Sequence, residues 1–160
     1  MGNIDTRCQF DKGYLVVQTA QAFYYPGTPV TGNIYLRVMQ PIEAKYIDIE
    51  IKGKEKVSFV TQEQRDGQTH HEKRKARRQV IHYSQPCFTF ATPVLYPGDY
   101  VIPFNFPLPA GLPSSIFYHN KNDWDKPKAK VKYHIKAKLH GHHNSDMVYK
   151  QVLLVREAGA

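Results

Sequence analysis

Little in this chain of 160 residues could staple it covalently or carry it through a lipid bilayer. It has two cysteines, one tryptophan and no aliphatic run longer than four residues, Val152-Leu153-Leu154-Val155 being one. A helix that crosses a bilayer needs about 18 to 20 consecutive apolar residues, so none is encoded. The opening Met1-Gly2-Asn3-Ile4-Asp5-Thr6 has neither a basic n-region nor an apolar h-region, so no secretory signal is read and a cytosolic or nuclear setting is expected. There Cys8 and Cys87, far apart in the chain, are expected as free thiols. Acidic residues are also in short supply: 14 Asp+Glu face 22 Lys+Arg, a formal net charge of +8. Such an excess attracts polyanions, whether nucleic acid, acidic headgroups or phosphorylated tails, and charge alone does not choose among them.

Helical periodicity is missing too, since no stretch carries apolar residues at i, i+3, i+4 and i+7 over three turns. Alternation with period two recurs instead. Ile47, Ile49 and Ile51 alternate with Asp48, Glu50 and Lys52, predicting a strand with one buried and one wet face that continues toward Val57 and Phe59. Val131, Tyr133, Ile135, Ala137 and Leu139 form a second such series. Further strands are expected at Tyr14 to Ala22, Val30 to Met39, Gln79 to Phe90, Asp99 to Phe106 and Met147 to Arg156, between Pro, Gly and Asn punctuation. Seven or more antiparallel strands joined by turns bury their apolar faces best as two packed sheets, so the fold class is all-β, an antiparallel β-sandwich. Pro103 interrupts an apolar strand and is expected at an edge or a bulge. Residues 63–78 contain no aliphatic side chain larger than Ala76, which predicts an exposed, charged loop between two strands. Residues 1–8 read as a tail.

Three segments, in order, resemble the amino-terminal domain of the arrestin family. Tyr25-Pro26-Gly27-Thr28-Pro29-Val30-Thr31-Gly32-Asn33-Ile34-Tyr35-Leu36 is similar to that family's Tyr-x-Pro-Gly-x-x-Val-x-Gly-x-Val-x-Leu hairpin, with Tyr24 at the family's tyrosine. Leu95 to Pro109, containing Pro103-Phe104-Asn105-Phe106-Pro107-Leu108-Pro109 and followed by Leu112-Pro113-Ser114-Ser115, resembles its Pro-Phe-x-Phe-x-Leu-Pro and Leu-Pro-x-Ser stretch. Val131 to Leu139 is similar to its Ile-x-Tyr-x-Val-x-Ala-x-Leu strand. The resemblance spans most of the chain. It implies an immunoglobulin-like sandwich acting as a non-enzymatic adaptor without a cofactor. Its implied partners are cytoplasmic segments of membrane proteins, some phosphorylated, which it couples to endocytosis, protein transport or signalling, in the cytoplasm or peripherally at membranes. The family carries two such sandwiches in tandem, and a one-lobed or a bilobal adaptor fits these residues. Visual and β-arrestins sense receptor phosphates with adjacent lysines on the first strand, where this chain offers Lys12, and the Pro-Pro-x-Tyr motif of the arrestin-domain adaptors is not present.

Among candidate site residues the strongest signal is Lys130, Lys132, His134, Lys136, Lys138 and His140. Two-residue spacing points all six to one face roughly 6.6 Å apart, a basic stripe that could meet phosphates or anionic headgroups. The bland alternative is a solvated face whose lysines are neutralised by acids on the neighbouring strand. Lys73, Arg74, Lys75, Arg77 and Arg78 form a polybasic tract that could serve as a nuclear-localisation-like or membrane-adhesive patch, or simply keep a loop soluble. Nucleic acid is disfavoured because no aromatic residue is interleaved in that tract. Gly2 lies in a Met-Gly-x-x-x-Thr pattern for N-myristoylation, with Cys8 placed for a second acyl chain. That supports the rival reading, a lipid-anchored protein of the membrane surface. His70-His71 and His140-x-His142-His143 are read as surface histidines and no metal is expected. No Gly-x-Ser-x-Gly elbow, P-loop or dinucleotide glycine pattern is present, and the hydroxyls of Ser114 and Ser115 are expected to bond local backbone.

Overall fold

The alternation is realised as a run of strands, with two short ones bracketing the two longest. A computed structural model describes residues 9, 10, 12–141 and 147–157. Its strands are β1 (Gln9–Phe10), β2 (Gly13–Thr19), β3 (Pro29–Val38), β4 (Ile42–Glu43), β5 (Tyr46–Arg65), β6 (Gln68–Thr89), β7 (Val94–Leu95), β8 (Gly98–Pro107), β9 (Ile116–His119), β10 (Lys128–His140) and β11 (Met147–Leu153). One sheet has the order β1-β2-β3-β8 and the other β11-β10-β5-β6, with β9 also paired to β10, while β4 and β7 form a two-stranded ribbon. All pairings between these strands are antiparallel. Among the described residues no helix is long and apolar enough to cross a membrane.

The two sheets meet where β2 packs on β10 and β11, and β8 on β6. Their facing side chains form one core. Leu15 and Val17 of β2, Ile34 and Leu36 of β3, and Ile102, Phe104 and Phe106 of β8 come from one layer; Ile47, Ile49, Ile51, Tyr133, Ile135 and Leu139 come from the other. Phe104 and Phe106, two residues apart on β8, share the inner face and stack at 6.0 Å. Pro103 sits on β8, an edge strand of its sheet, where its missing N–H breaks no second ladder.

Tyr24 shows why a tyrosine suits its place. Its ring is 1% exposed, and its hydroxyl donates to the Thr31 carbonyl at 3.0 Å and accepts from the Gln21 N–H at 3.1 Å. Its backbone N–H donates to Leu154 O and its carbonyl accepts from Arg156 N–H, so the β2–β3 connection is tied to the chain leaving β11.

The segment 63–78 is not a loop. It forms the end of β5 and the start of β6, closed by a two-residue turn at Asp66 and Gly67 with φ of 52° and 75°. Positive φ at both central positions is the turn whose twist suits a hairpin, and Asp-Gly is its preferred pair. The ladder from Arg65↔Gln68 to Lys56↔Arg77 satisfies the backbone without any core beneath it. Absence of aliphatic residues therefore removed burial, not pairing. The strand does continue past Val57 and Phe59 as expected, but the core stops short of them, and Phe59 is 41% exposed.

Gly53 on β5 makes room for the ring of its cross-strand neighbour Tyr133 on β10. A β-carbon there would stand 2.5 Å from Cδ1 and Cε1 of Tyr133 and 2.9 Å from Cγ2 of Val80. Tyr133 cannot easily yield, because it is fully buried and its hydroxyl donates to the Pro113 carbonyl at 2.6 Å. Gly53→Ala is expected to destabilise the fold by about 1–3 kcal/mol through overpacking, read as a lowered midpoint in thermal or urea unfolding. An unchanged midpoint would show that Tyr133 is free to move.

Candidate functional site

Alternation turns the even-numbered residues of β5 and β10 outward, and the register decides what each one faces. Lys56 stands opposite Lys130, Lys54 opposite Lys132, Lys52 opposite His134, Glu50 opposite Lys136, Asp48 opposite Lys138 and Tyr46 opposite His140. Beyond β5, β6 brings Lys75 beside Ser58, Arg77 beside Lys56 and His82 beside Lys52. Beyond β10, β11 sets Lys150 opposite Lys136. The result is a basic field spread over four strands.

Its acids lie at one end. Asp48 receives His140 Nε2 at 2.8 Å, with the imidazole also stacked on Tyr46 at 4.2 Å. Glu50 holds Lys136 at 3.3 Å, Lys52 at 3.6 Å and His82 at 3.2 Å. Burial pushes the Glu50 carboxyl up, but hydrogen bonds from His82 and Lys136 and the charges of Lys136 and Lys52 outweigh it and hold the group below the usual carboxylate range. Toward the other end compensation stops. Among the described residues, no carboxylate lies at ion-pair distance from Lys54, Lys56, Lys130 or Lys132. The charge of Arg77, then desolvation, then Lys130, Lys54 and Lys128 push the Lys56 ammonium below its usual value. Burial, followed by the charges of Lys150, Lys132, Lys130 and Lys54, does the same to His134.

These side chains line a shallow groove of about 380 Å³ between β5 and β10, in whose wall Glu50 is the one acid. A second depression of about 250 Å³ lies between β6, β5 and the start of β10, bounded by Lys56, Lys73, Lys75, Arg77, Lys128 and Lys130. Both are open to solvent and carry cations at strand spacing. Such a surface can hold an extended polyanion; it offers no converging acid, base and nucleophile.

The structure thus joins two features that the sequence presents separately. Lys130, Lys132, His134, Lys136 and Lys138 lie on the stripe face, and the polybasic tract is divided by its own pleat. Lys73, Lys75 and Arg77 pair with Val60, Ser58 and Lys56 on that same face, whereas Arg74 and Arg78 pair with Phe59 and Glu55 on the other. Arg74 there bonds Glu72 at 3.1 Å and Arg78 bonds Glu55 at 2.7 Å. Neutralisation from the adjacent strand holds for Lys136 and not for Lys130 or Lys132, whose partners are lysines. Lys12 lies apart, exposed in the turn between β1 and β2 of the other sheet. Gly2, Cys8, His142 and His143 lie outside the described residues. His70 and His71 are adjacent on a strand and so take opposite faces. Cys87 is a free thiol pushed up to about 11, by burial first and by Asp48 second. The serine hydroxyls bond backbone, but not locally: Ser115 Oγ accepts from Val155 N–H at 3.0 Å and Ser114 Oγ from Glu157 N–H at 2.8 Å.

Sequence reasoning missed Lys52, Lys54, Lys56, Lys128 and Lys150. The signal for the first three was available in Lys52-x-Lys54-x-Lys56, which continues the Asp48 and Glu50 series on a strand already recognised. Lacking was the knowledge that β5 and β10 are neighbours.

The model of the arrestin (or S-antigen) N-terminal domain family matches residues 15–158. Arrestin domain-containing protein A of Dictyostelium discoideum is 27% identical over 151 residues, an alignment covering 88% of this chain and 26% of that protein. Spo0M, a sporulation control protein from Bacillus subtilis, has a solved structure that matches with a TM-score of 0.54 at 18% identity, over 94% of this chain and 51% of that one. That likeness is one of fold. The chain spans about a quarter of the length of the curated relative and about half of the solved one.

A titration follows from the His134 environment. The native state holds this imidazole below the ordinary value of 6.5, so the unfolded chain binds the proton first as pH falls. Its contribution to stability is complete above about pH 6.5 and is lost progressively below it. His134→Gln should therefore flatten the fall in thermal midpoint between neutral pH and about pH 5. An identical pH profile in the variant would show that neither burial nor the surrounding lysines hold the imidazole below its ordinary value.

Proposed function

The chain belongs to the arrestin N-terminal domain family, and from that premise we propose that it is a non-enzymatic adaptor that binds acidic or phosphorylated cytoplasmic segments of membrane proteins along its lysine-paired face. Members of this family are in general non-enzymatic adaptors. The observation that carries the reading is the pairing of Lys54 with Lys132 and of Lys56 with Lys130 across β5 and β10. Like charges placed directly opposite destabilise a sheet. The fold tolerates two such pairs side by side with no carboxylate between them, and an anionic ligand is the partner that turns this repulsion into attraction.

Geometry favours an extended segment. Successive outward side chains on one strand recur roughly every 6.6 Å, and an extended peptide laid along the groove repeats its own side chains at the same interval. Phosphate or carboxylate groups on alternate residues then meet the rows Lys52, Lys54, Lys56 and Lys130, Lys132 in turn. Each contact is a charge-assisted hydrogen bond to a compact ammonium, strong in attraction and loose in direction. Affinity for acidic tails of differing sequence follows from that looseness, as does steep weakening by salt. The role in transport or signalling, and placement at the cytoplasmic side of a membrane, follow from which tail is bound.

Charge reversal tests this with opposite signs for binding and folding. Lys132→Glu places a carboxylate against Lys54, and Lys54→Glu places one against Lys132, so each variant should unfold at or above the midpoint of the unaltered protein. Each should nevertheless bind a multiply phosphorylated peptide about tenfold or more weakly, since a charged hydrogen bond is worth roughly 1.5–3 kcal/mol. Glu50→Gln, which removes the acid from the groove wall, should tighten the same peptide by a few fold. Fluorescence anisotropy at low and high salt measures all three. Equal affinity in the reversed and unaltered proteins would reject the face as the binding site.

A further inference from the structure

Beyond the groove, the strand that borders it carries side chains of another kind. Ile116, Phe117 and Tyr118 of β9 are 48%, 69% and 52% exposed, and Trp124 in the turn that follows is 62% exposed. Pairing of Phe117 with Lys130 sets its ring on the basic face, and Lys128 Nζ lies 5.9 Å from the ring centroid. The turn is well built. Asn120 N–H donates to Pro127 O at 3.1 Å, Lys126 N–H to Asp123 O at 3.1 Å, and Val60 N–H to Asp125 O at 2.7 Å. Asn120 Nδ2 also donates to the Asp123 carboxylate at 2.9 Å. This closed turn leaves the one tryptophan of the protein mostly exposed.

The neighbouring depression, bounded by Lys56, Lys73, Lys75, Arg77, Lys128 and Lys130, has no acid in its wall. Within the turn Asp123 and Asp125 balance Lys121 and Lys126, so the charge presented is that of the depression. We propose that β9, the 120–127 turn and this lysine cluster form a docking surface for an anionic lipid leaflet. Phe117 and Trp124 enter the headgroup layer while the lysines lie against the headgroups. The amphipathic indole is at home at that depth, where its N–H stays hydrated and the ring body does not, and the Phe117 ring adds apolar area. Clustered lysines supply the electrostatic part. A strand of nucleic acid or an acidic peptide would instead seat its length in the depression, and Trp124 is not among the residues that bound it. The inference goes beyond the peptide reading and does not require it, because the two surfaces share only Lys56 and Lys130.

The one tryptophan of the chain makes the experiment direct. Vesicles of phosphatidylcholine, with and without about 30% phosphatidylserine, supply an anionic and a neutral leaflet. The expected result is a blue shift of Trp124 emission and co-sedimentation with the anionic vesicles, both weak with the neutral ones. Lys75→Glu and Lys128→Glu should each lower the partition coefficient about fivefold or more, the factor for roughly 1 kcal/mol per basic residue at such a surface. Phe117→Ala, at a side chain so exposed that folding does not rest on it, should lower partition severalfold and reduce the shift. Lys132→Glu, outside the depression, should lower vesicle partition clearly less than Lys75→Glu does while weakening the phosphopeptide about tenfold, so failure of one reading is told apart from failure of the other. No shift with anionic vesicles overturns the proposal. So does sedimentation without a shift and indifferent to Phe117→Ala, which marks adhesion by charge alone. A shift produced by oligonucleotide or acidic peptide but not by vesicles reassigns the surface to that partner.

Discussion

The core and the charged face both hang on the register between β5 and β10. It runs from Lys128↔Ser58 to His140↔Tyr46 without a break, and it has two consequences that cannot be separated. Inward, it sets Ile47, Ile49 and Ile51 opposite Leu139, Ala137 and Ile135, all within a few per cent of complete burial. Outward, it sets lysine against lysine. A slip of one residue would flip each set to the wrong face. A slip of two would lift Tyr133 off Gly53, the one place on β5 where the absence of a side chain admits its ring. Burial of each large aliphatic side chain is worth about 1.5–3 kcal/mol, and water screens the ammonium groups outside. The core therefore dictates the register, and the charged face must accept it.

This asymmetry explains which parts of the molecule were legible in the sequence. Burial leaves a local trace, because period-two alternation appears in any six residues of Ile47 to Lys52 or Val131 to Leu139. The two-sheet sandwich, the inward phenylalanines of β8 and the edge position of Pro103 all follow from such traces. The pairing of strands leaves none. That β10 lies between β5 on one side and β9 and β11 on the other is decided by contacts far apart in the chain, and with it the fate of every outward lysine. The hairpin at 63–78 was unreadable for a related reason. Hydrophobic pattern reports burial, and this ribbon is held by its ladder and its Asp66-Gly67 turn, a signal of turn chemistry overshadowed by the run of charge beside it.

The polybasic tract shows how a linear motif misleads once it is pleated. Five cations in six residues read as a single patch, yet a strand sends neighbours to opposite faces. Lys73, Lys75 and Arg77 reinforce the face shared with β10, while Arg74 and Arg78 are occupied by Glu72 and Glu55. Counting charges along the sequence overstates the tract itself and understates the face it joins, which draws further lysines from β5, β10 and β11. The local field is thus a property of the sheet and not of any one segment.

Two surfaces meeting at Lys56 and Lys130 also bear on how a weak binder becomes selective. A few exposed lysines attract any polyanion modestly, and two exposed rings hold a leaflet only marginally. Were both proposed surfaces used, a tail leaving that same leaflet would reach the groove as an intramolecular partner, and the second contact would be made at the effective concentration set by the tail's own length. The product of two modest affinities exceeds either alone when the geometry allows both at once, and it vanishes for a free peptide or a bare membrane. The order of the features along β10, with the Phe117 rim at its Lys128 end and the Glu50 end of the groove further on, gives such a tail one direction. It would enter over the rim, cross the uncompensated Lys56–Lys130 and Lys54–Lys132 pairs, and leave where Glu50 and Asp48 neutralise the cations around them.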